Sequence, residues 1–175
     1  MQVQSFPPVI DASARILVLG SMPGTASLEK FQYYGHPRNY FWPILYRLFD
    51  TPLEADYERR LLFARNRGIA LWDVLASCER QGSLDANIKN EQPNDILALL
   101  REYPAIRCLA FNGSKAYEAF GRLASKHGEA DEQAQRVLAA VDLLKLPSTS
   151  PVPTPKMRNI DDRLQHWRQL LQYVC

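Results

Sequence analysis

The chain has 175 residues, 46% of them hydrophobic, and its 21 basic and 19 acidic side chains leave a net charge of +2. This length predicts one domain, residues 1–175, with enough chain for a sizeable core, and the near-balanced charge does not by itself imply a nucleic-acid partner. No apolar run approaches a membrane span and the first residues lack a basic-then-apolar leader, so cytoplasmic residence without a membrane partner is the expectation.

Three cysteines, Cys78, Cys108 and Cys175, are odd in number, widely spaced and free of any CxxC pair, which argues against a disulfide framework or a zinc site. Cys108 lies in an apolar run and reads as a core thiol. Neither a metal nor another cofactor is expected.

In chain order, residues 1–14 read as an extended lead-in, with Pro7-Pro8 discouraging regular structure. A first strand is predicted over 15–19 and breaks into Gly20-Ser21-Met22-Pro23-Gly24, a turn at its carboxyl end. A long polar-aromatic loop with Tyr33, Tyr34, His36, Arg38 and Asn39 follows. A helix is predicted over 40–49, where Pro43 is tolerated in the first turn, and a second over 53–66, stopped by Gly68. A second strand covers 69–72 and ends at Asp73, and residues 77–93 read mostly as loop.

Asn94 is the expected N-cap of a helix over 95–101. A third strand, 106–111, ends at Asn112-Gly113, and Ser114 caps a helix to about residue 123. The charged stretch 125–136 reads as a surface excursion. A fourth strand, 141–146, runs into Pro147-Ser148-Thr149-Ser150-Pro151 and three further prolines or threonines. From Ile160 onward, Ile160, Leu164, Trp167, Leu171 and Val174 form the apolar stripe of a last helix.

Strands alternating with helices predict an α/β fold with a small parallel sheet covered on both faces. In such a sheet the polar loops after Gly20, Asp73, Asn112 and Leu146 lie on one edge, beyond the carboxyl ends of the strands, where sites form. That convergence is the main pointer to a site.

The chemistry at this edge is narrow. GSMPG is neither GxGxxG nor GxxxxGK[ST], so the nucleotide-binding loops fail. No G-x-S-x-G elbow surrounds Ser21, Ser148 or Ser150, and Asp73 has no second carboxylate to pair with among the strand-end loops. His36 can act as a base or a donor, although a lone histidine is more often a structural hydrogen-bonder. On pattern alone Asn39 is the cap of the following helix. From Lys145 to Cys175 five basic residues stand against two acidic ones. That is either a phosphate-facing end or an ordinary solvated helix face.

Four blocks carry a resemblance: GSMPGTASLEKFQYYGHPRNYFW, GIALWDVLASCERQGSLDANI, LAFNGSKAYEAF and LPSTSP. Together they closely resemble the hypoxanthine-DNA (deoxyinosine) glycosylases, a branch of the uracil-DNA glycosylase superfamily. The resemblance implies a three-layer α/β/α domain with a central four-stranded, mostly parallel sheet. It implies a monofunctional enzyme, without cofactor, that flips a deaminated base out of double-stranded DNA and hydrolyses its N-glycosidic bond. The wider superfamily has an Asn or Asp within the first block where this chain has Met22, and the role of holding the water then falls on Asn39. Base binding falls on Gly20, Ser21, Met22, Pro23, Gly24, Tyr34, His36, Asp73 and Asn112, with Tyr34 ahead of Tyr33 as the stacking aromatic.

LPSTSP resembles the second superfamily motif without its histidine. Ser148, Thr149 and Ser150 are then expected to hold a phosphate, with Lys156 and Arg158 as further DNA contacts and Val152 or Met157 as the wedge. A monomer working at the nucleoid of a bacterial or archaeal-type cytosol is expected. The competing expectations are a uracil, xanthine or G:T mismatch glycosylase of the same superfamily, a non-catalytic nucleic-acid-binding relative, and an enzyme acting on free nucleosides.

Overall fold

A computed structural model describes residues 1–128 and 131–174, with the side chains of His127 and Gly128 left aside. Its centre is β2 (Ile16–Gly20), in which every residue is buried. Such a strand reads as a continuous apolar run because both of its faces are covered. It pairs in parallel with β3 (Ile69–Asp73) on one side and β6 (Cys108–Asn112) on the other, and β7 (Asp142–Leu146) extends the sheet beyond β6, giving the order β3-β2-β6-β7. Alternate β2 residues serve two cores. Ile16 and Val18 face α2 (Phe41–Leu48), α3 (Tyr57–Asn66) and α7 (Ile160–Trp167). Leu17 and Leu19 face α4 (Ile96–Glu102) and α5 (Ser114–Gly128). This is the expected three-layer α/β/α arrangement.

The strand order reverses at β2, since the chain moves first to β3 on one flank and later to β6 on the other. The crevice between the carboxyl ends of β2 and β6 is therefore the topological switch point. Gly20 and Asn112 end the two strands that frame it.

Several elements differ from expectation. Residues 77–93 are not mostly loop: β4 (Leu75–Glu79) and β5 (Lys89–Pro93) pair antiparallel, and β1 (Gln2–Gln4), in the supposed lead-in, pairs with β4 to complete a second sheet ordered β1-β4-β5. β5 is polar on both faces and the β4–β5 register shifts twice, so no period-2 signal exists. The long loop contains α1 (Thr25–Lys30).

The cap of α4 is Asp95, which accepts from the Ala98 N–H at 3.0 Å, rather than Asn94. Asn94 instead donates to the carbonyls of Asp73 and Leu75 at 2.8 and 3.2 Å. α3 starts at Tyr57, capped by Asp56, and leaves Leu53 outside and exposed. The charged excursion holds the end of α5 and α6 (Glu132–Ala139), anchored by buried Ala134, while residues 129–130 lie outside the described residues. The last helix tightens into a 3₁₀ turn at Arg168–Leu170 before α8 (Leu171–Val174). Cys78 and Cys108 are buried thiols; Cys175 lies outside the described residues. No described helix is long and apolar enough to cross a membrane.

Candidate active site

Gly20 is in register with Asp73 on β3. A Cβ at Gly20 would come 2.6 Å from Asp73 Oδ1 and 3.6 Å from Tyr34 Oη, so only glycine lets these groups close over the strand end. Asp73 is 4% exposed and its Oδ2 has no hydrogen-bond partner. Burial pushes its carboxyl up to about 7; the Arg80 guanidinium pulls the other way and Asp85 adds to the rise.

Two adjacent tyrosines have opposite fates. Tyr33 is a core residue: its hydroxyl donates to the Pro7 carbonyl at 2.9 Å and its carbonyl accepts from Trp42 Nε1 at 3.0 Å. Tyr34 adopts the left-handed region at φ 55°, which turns its ring out of the chain path and onto Phe41, with centroids 4.1 Å apart and planes 25° from parallel. The Tyr34 hydroxyl is buried without a partner of good geometry. Burial raises its pKa well above the ordinary tyrosine value, the Asp73 charge adds to this, and the nearby Asn112 amide offsets part of it.

The GSMPG loop is held from outside its own segment. Ser21 Oγ donates to Asp85 Oδ1 at 2.6 Å, Arg80 donates to the Pro23 carbonyl, and the Thr25 N–H donates to Ser83 Oγ at 2.8 Å. The β4–β5 connection is thus a clasp over this loop. Met22 packs into the core with Leu19 and Val74, so the loop offers the site its backbone rather than that side chain. Gly24 lies against Ser83, where a Cβ would meet Oγ at 3.4 Å.

Asn112 and Thr149 form a reciprocal pair: Asn112 Nδ2 donates to Thr149 Oγ1 and the Thr149 N–H donates to Asn112 Oδ1, both at 2.9 Å. Thr149 is 1% exposed, which corrects its expected place as a DNA contact: its hydroxyl braces Asn112 instead. Ser148 is exposed and Ser150 half-buried. Lys156 and Arg158 are exposed on the following segment, as is Val152, whereas Met157 is half-buried.

In GHPRN the His36 side chain folds back, its Nδ1 accepting from the Arg38 N–H at 3.1 Å. The N-cap of α2 is Tyr40, without a side-chain cap bond, rather than Asn39 as pattern suggests; Asn39, one residue earlier, accepts at Oδ1 from the Phe41 N–H at 2.9 Å. Asn39 also lines a cleft of about 360 Å³ with Arg38, Tyr40, Pro43, Pro151 and Ile160. The bond from the Phe41 N–H uses one lone pair of Oδ1 and leaves the other for a water. The Tyr40 N–H donates to the Thr149 carbonyl at 2.9 Å, linking this loop to Thr149 and through it to Asn112.

Gly20, Tyr34, Asp73 and Asn112 thus meet at the switch point, with Asn39 tied to them through Tyr40 and Thr149. His36 turns onto its own loop. Among the described residues no group of His, Cys, Asp or Glu is arranged to hold a metal ion.

A model of the uracil DNA glycosylase superfamily matches residues 7–174. The chain belongs to that superfamily. Among similar proteins, the hypoxanthine DNA glycosylase of Methanosarcina barkeri is 42% identical over 119 residues, 67% of this chain and 75% of its own length. That of Methanosarcina acetivorans is 39% identical over 116 residues, 66% of this chain and 73% of its own length. A candidate uracil DNA glycosylase from Methanosarcina acetivorans, solved by solution NMR, superposes with a TM-score of 0.79 at 31% identity and covers 99% of each chain.

Two buried arginines beside these loops are not signalled by residue type. Arg80, 2% exposed, falls in a stretch that reads as loop and holds the Pro23 carbonyl. Arg163, 1% exposed, falls in the basic end and holds the carbonyls of Ser148 and Ser150. The second had a signal: Arg163 follows Ile160 by three and precedes Trp167 by four, which puts it beside the apolar stripe of its helix. Arg80 is buried by the pairing of β4 with β1 and β5, for which no local pattern exists.

Proposed function

We propose that this protein is a monofunctional DNA glycosylase that flips hypoxanthine out of a duplex and hydrolyses its N-glycosidic bond, leaving an abasic site. The observation that carries the site assignment is a cluster of unsatisfied groups. Among the described residues, the buried side-chain nitrogens and oxygens without a partner are Tyr34 Oη, Asp73 Oδ2 and the Nε and Nη1 of Arg80. All belong to the residues around the carboxyl ends of β2 and β3. Native interiors pair nearly all such atoms, so a concentration of orphans calls for a polar ligand.

Hypoxanthine presents N1–H and O6 side by side. A neutral Asp73 carboxyl matches that edge, accepting from N1–H and donating to O6. Bond cleavage sends the C1′–N9 electrons into the base, and the negative charge spreads to O6. A neutral acid donating there stabilises the departing anion, whereas a carboxylate would repel it. The sugar becomes oxocarbenium-like, and Asn39, through its free Oδ1 lone pair, holds the water that adds to C1′. The Tyr34 ring supplies the stacking platform, with Phe41 behind it. Base selection also draws on extrusion, which costs least for a weakly paired base.

Lys30 and Lys115 do not support a Schiff-base route: Lys30 Nζ donates to the Gly35 carbonyl at 2.9 Å and Lys115 pairs with Glu91. Gripping of the DNA backbone is assigned to Ser148 and Ser150, with Lys156 and Arg158 outside them and Val152, 56% exposed, as the wedge. The protein acts as a single-domain cytoplasmic monomer at the nucleoid. A second specificity is favoured by the same carboxyl, because uracil offers an equivalent N3–H and O4 pair.

A panel of duplexes carrying one deoxyinosine, deoxyuridine, deoxyxanthosine or G:T mismatch tests the assignment under single-turnover conditions. Fastest release is expected from deoxyinosine. Fastest release from another duplex reassigns the base, and no release from any of them overturns the enzyme.

A further inference from the structure

Arg163, on α7, is enclosed by the loop that follows β7. Its Nε donates to the Ser148 carbonyl at 2.8 Å, its Nη2 to the carbonyls of Ser150 at 3.1 Å and Val152 at 3.4 Å, and its Nη1 to Asn159 at 2.9 Å. The guanidinium also lies 4.5 Å from the centroid of the Tyr40 ring. Among the described residues no carboxylate forms an ion pair with it. The two acids in the first turn of its helix are committed elsewhere: Asp161 to Arg47 at 3.2 Å and Asp162 to the Arg158 N–H at 3.0 Å.

A buried charge is ordinarily paired with an opposite charge. Here carbonyl dipoles satisfy the hydrogen-bond donors but leave the full positive charge uncancelled. The same bonds turn the carbonyls of Ser148, Ser150 and Val152 toward Arg163. Ser148 Oγ accepts from the Ser150 N–H at 3.1 Å and Ser150 Oγ from the Val152 N–H at 3.4 Å, which leaves each hydroxyl hydrogen free to donate. The outcome is a loop with two free hydroxyl donors and an unneutralised cation directly behind it.

We infer that Arg163 is a positioning residue that makes this loop the receiver of a DNA phosphate, its charge being completed by the phosphodiester. The inference rests on the assignment of Ser148 and Ser150 to the DNA backbone. Through the Tyr40 ring, and the Tyr40 N–H on the Thr149 carbonyl, the same guanidinium joins the phosphate loop to the residue next to Asn39. Seating the phosphate and presenting the water are therefore one assembly.

The test is a salt titration of full-length protein binding to an undamaged duplex, read by fluorescence anisotropy, together with the single-turnover rate on a deoxyinosine duplex at saturating protein. Arg163→Gln retains donors for the carbonyls and removes the charge. It is expected to weaken binding ~10-fold at low salt and to make the log–log salt slope shallower by up to ~0.9, one phosphate's share. Its saturated rate should fall by a smaller factor. Arg163→Lys restores the slope. A folded Gln variant with wild-type slope and affinity overturns the inference, as does a Lys variant with the shallow slope.

If the Gln variant does not fold, Ser148→Ala decides, a change at an exposed position. Loss of that hydroxyl donor should weaken binding several-fold and make the salt slope shallower, because the phosphate that completes the Arg163 charge is no longer seated, and a folded Ser148→Ala variant with wild-type slope and affinity overturns the inference. Salt-insensitive binding by the wild type would instead remove the DNA assignment itself, an outcome distinct from steep wild-type binding that the variants leave unchanged.

Discussion

Replacing Asp73 with asparagine should stabilise the protein at alkaline pH and remove the alkaline limb of its pH–rate profile. The folded carboxyl titrates at about 7, against 3.8 for the ordinary side chain. Between these values the folded protein holds a proton that the unfolded chain has released, so stability falls as pH rises through the window. Each pH unit is worth about 1.4 kcal/mol, and the roughly three units between them amount to about 4 kcal/mol lost by pH 8 relative to pH 3. Above 7 both states are ionised and the penalty is constant. Asparagine has the same shape and no charge to desolvate.

Urea denaturation of wild type and Asp73→Asn at pH 8, 6 and 4.5 is the assay, since contributions from other groups cancel in the difference. The variant should be more stable by about 2–4 kcal/mol at pH 8, with the gap closing toward pH 4. Its release of hypoxanthine should persist at pH 8, because the amide also accepts from N1–H and donates to O6, whereas Asp73→Ala, which removes the donor, should fall by ~100-fold or more. An Asn variant less stable than wild type at pH 8, or a gap independent of pH, would refute the buried, unpaired carboxyl. Retained activity in Asp73→Ala would refute its role at O6.

Arg80 holds the Asp73 pKa down, so Arg80→Met should move the alkaline limb of the pH–rate profile to higher pH; a uniform loss at every pH would mean that Arg80 only holds the Pro23 loop. Asn39→Ala should lower the single-turnover rate by ~100-fold or more while leaving duplex affinity near wild type, and should cost about 1 kcal/mol in urea through the lost hydrogen bond from the Phe41 N–H. Asn39→Asp keeps the acceptor and should restore the stability. Tyr34→Phe removes an unsatisfied buried hydroxyl and should be neutral or stabilising by up to about 2 kcal/mol, with activity retained. Tyr34→Ala should lose the stacking platform, about 1–3 kcal/mol of substrate interaction measured as kcat/KM on a deoxyinosine duplex.

Much of the fold was legible locally. Strand β2 declared itself as an uninterrupted apolar run ending in glycine, and the helix starts at Phe41, Ser114 and Ile160 lay within one residue of their expected positions. Four polar loops following four short apolar strands were enough to place a site at one sheet edge. The second sheet was not legible, because β5 is polar on both faces and acquires strand character only from β4 beside it. The Asn39 bond to the start of α2 was legible from its place before the aromatic run, although the cap itself is Tyr40, because the helix opens one residue later than its pattern suggests.

The sequence by itself thus determined the layers, the sheet edge where the polar loops converge and the residue types gathered there, while the strand order that makes the β2–β6 crevice the switch point came from tertiary structure. Capping, turn chemistry and strand burial act over a few neighbouring residues, and their signals are local. Only tertiary structure decided what state those residues are in. Tyr33 became core and Tyr34 platform through partners as distant as Pro7 and Phe41. Ser21 is fastened by Asp85, 64 positions away, and the Asp73 carboxyl is raised because Gly20, Tyr34 and the clasp exclude water from it. Burial and unpaired charge are properties of an enclosure rather than of a segment. For that reason Arg80 and Arg163, ordinary basic residues in the sequence, turned out to be buried cations, the first holding the Pro23 carbonyl and the second the loop after β7.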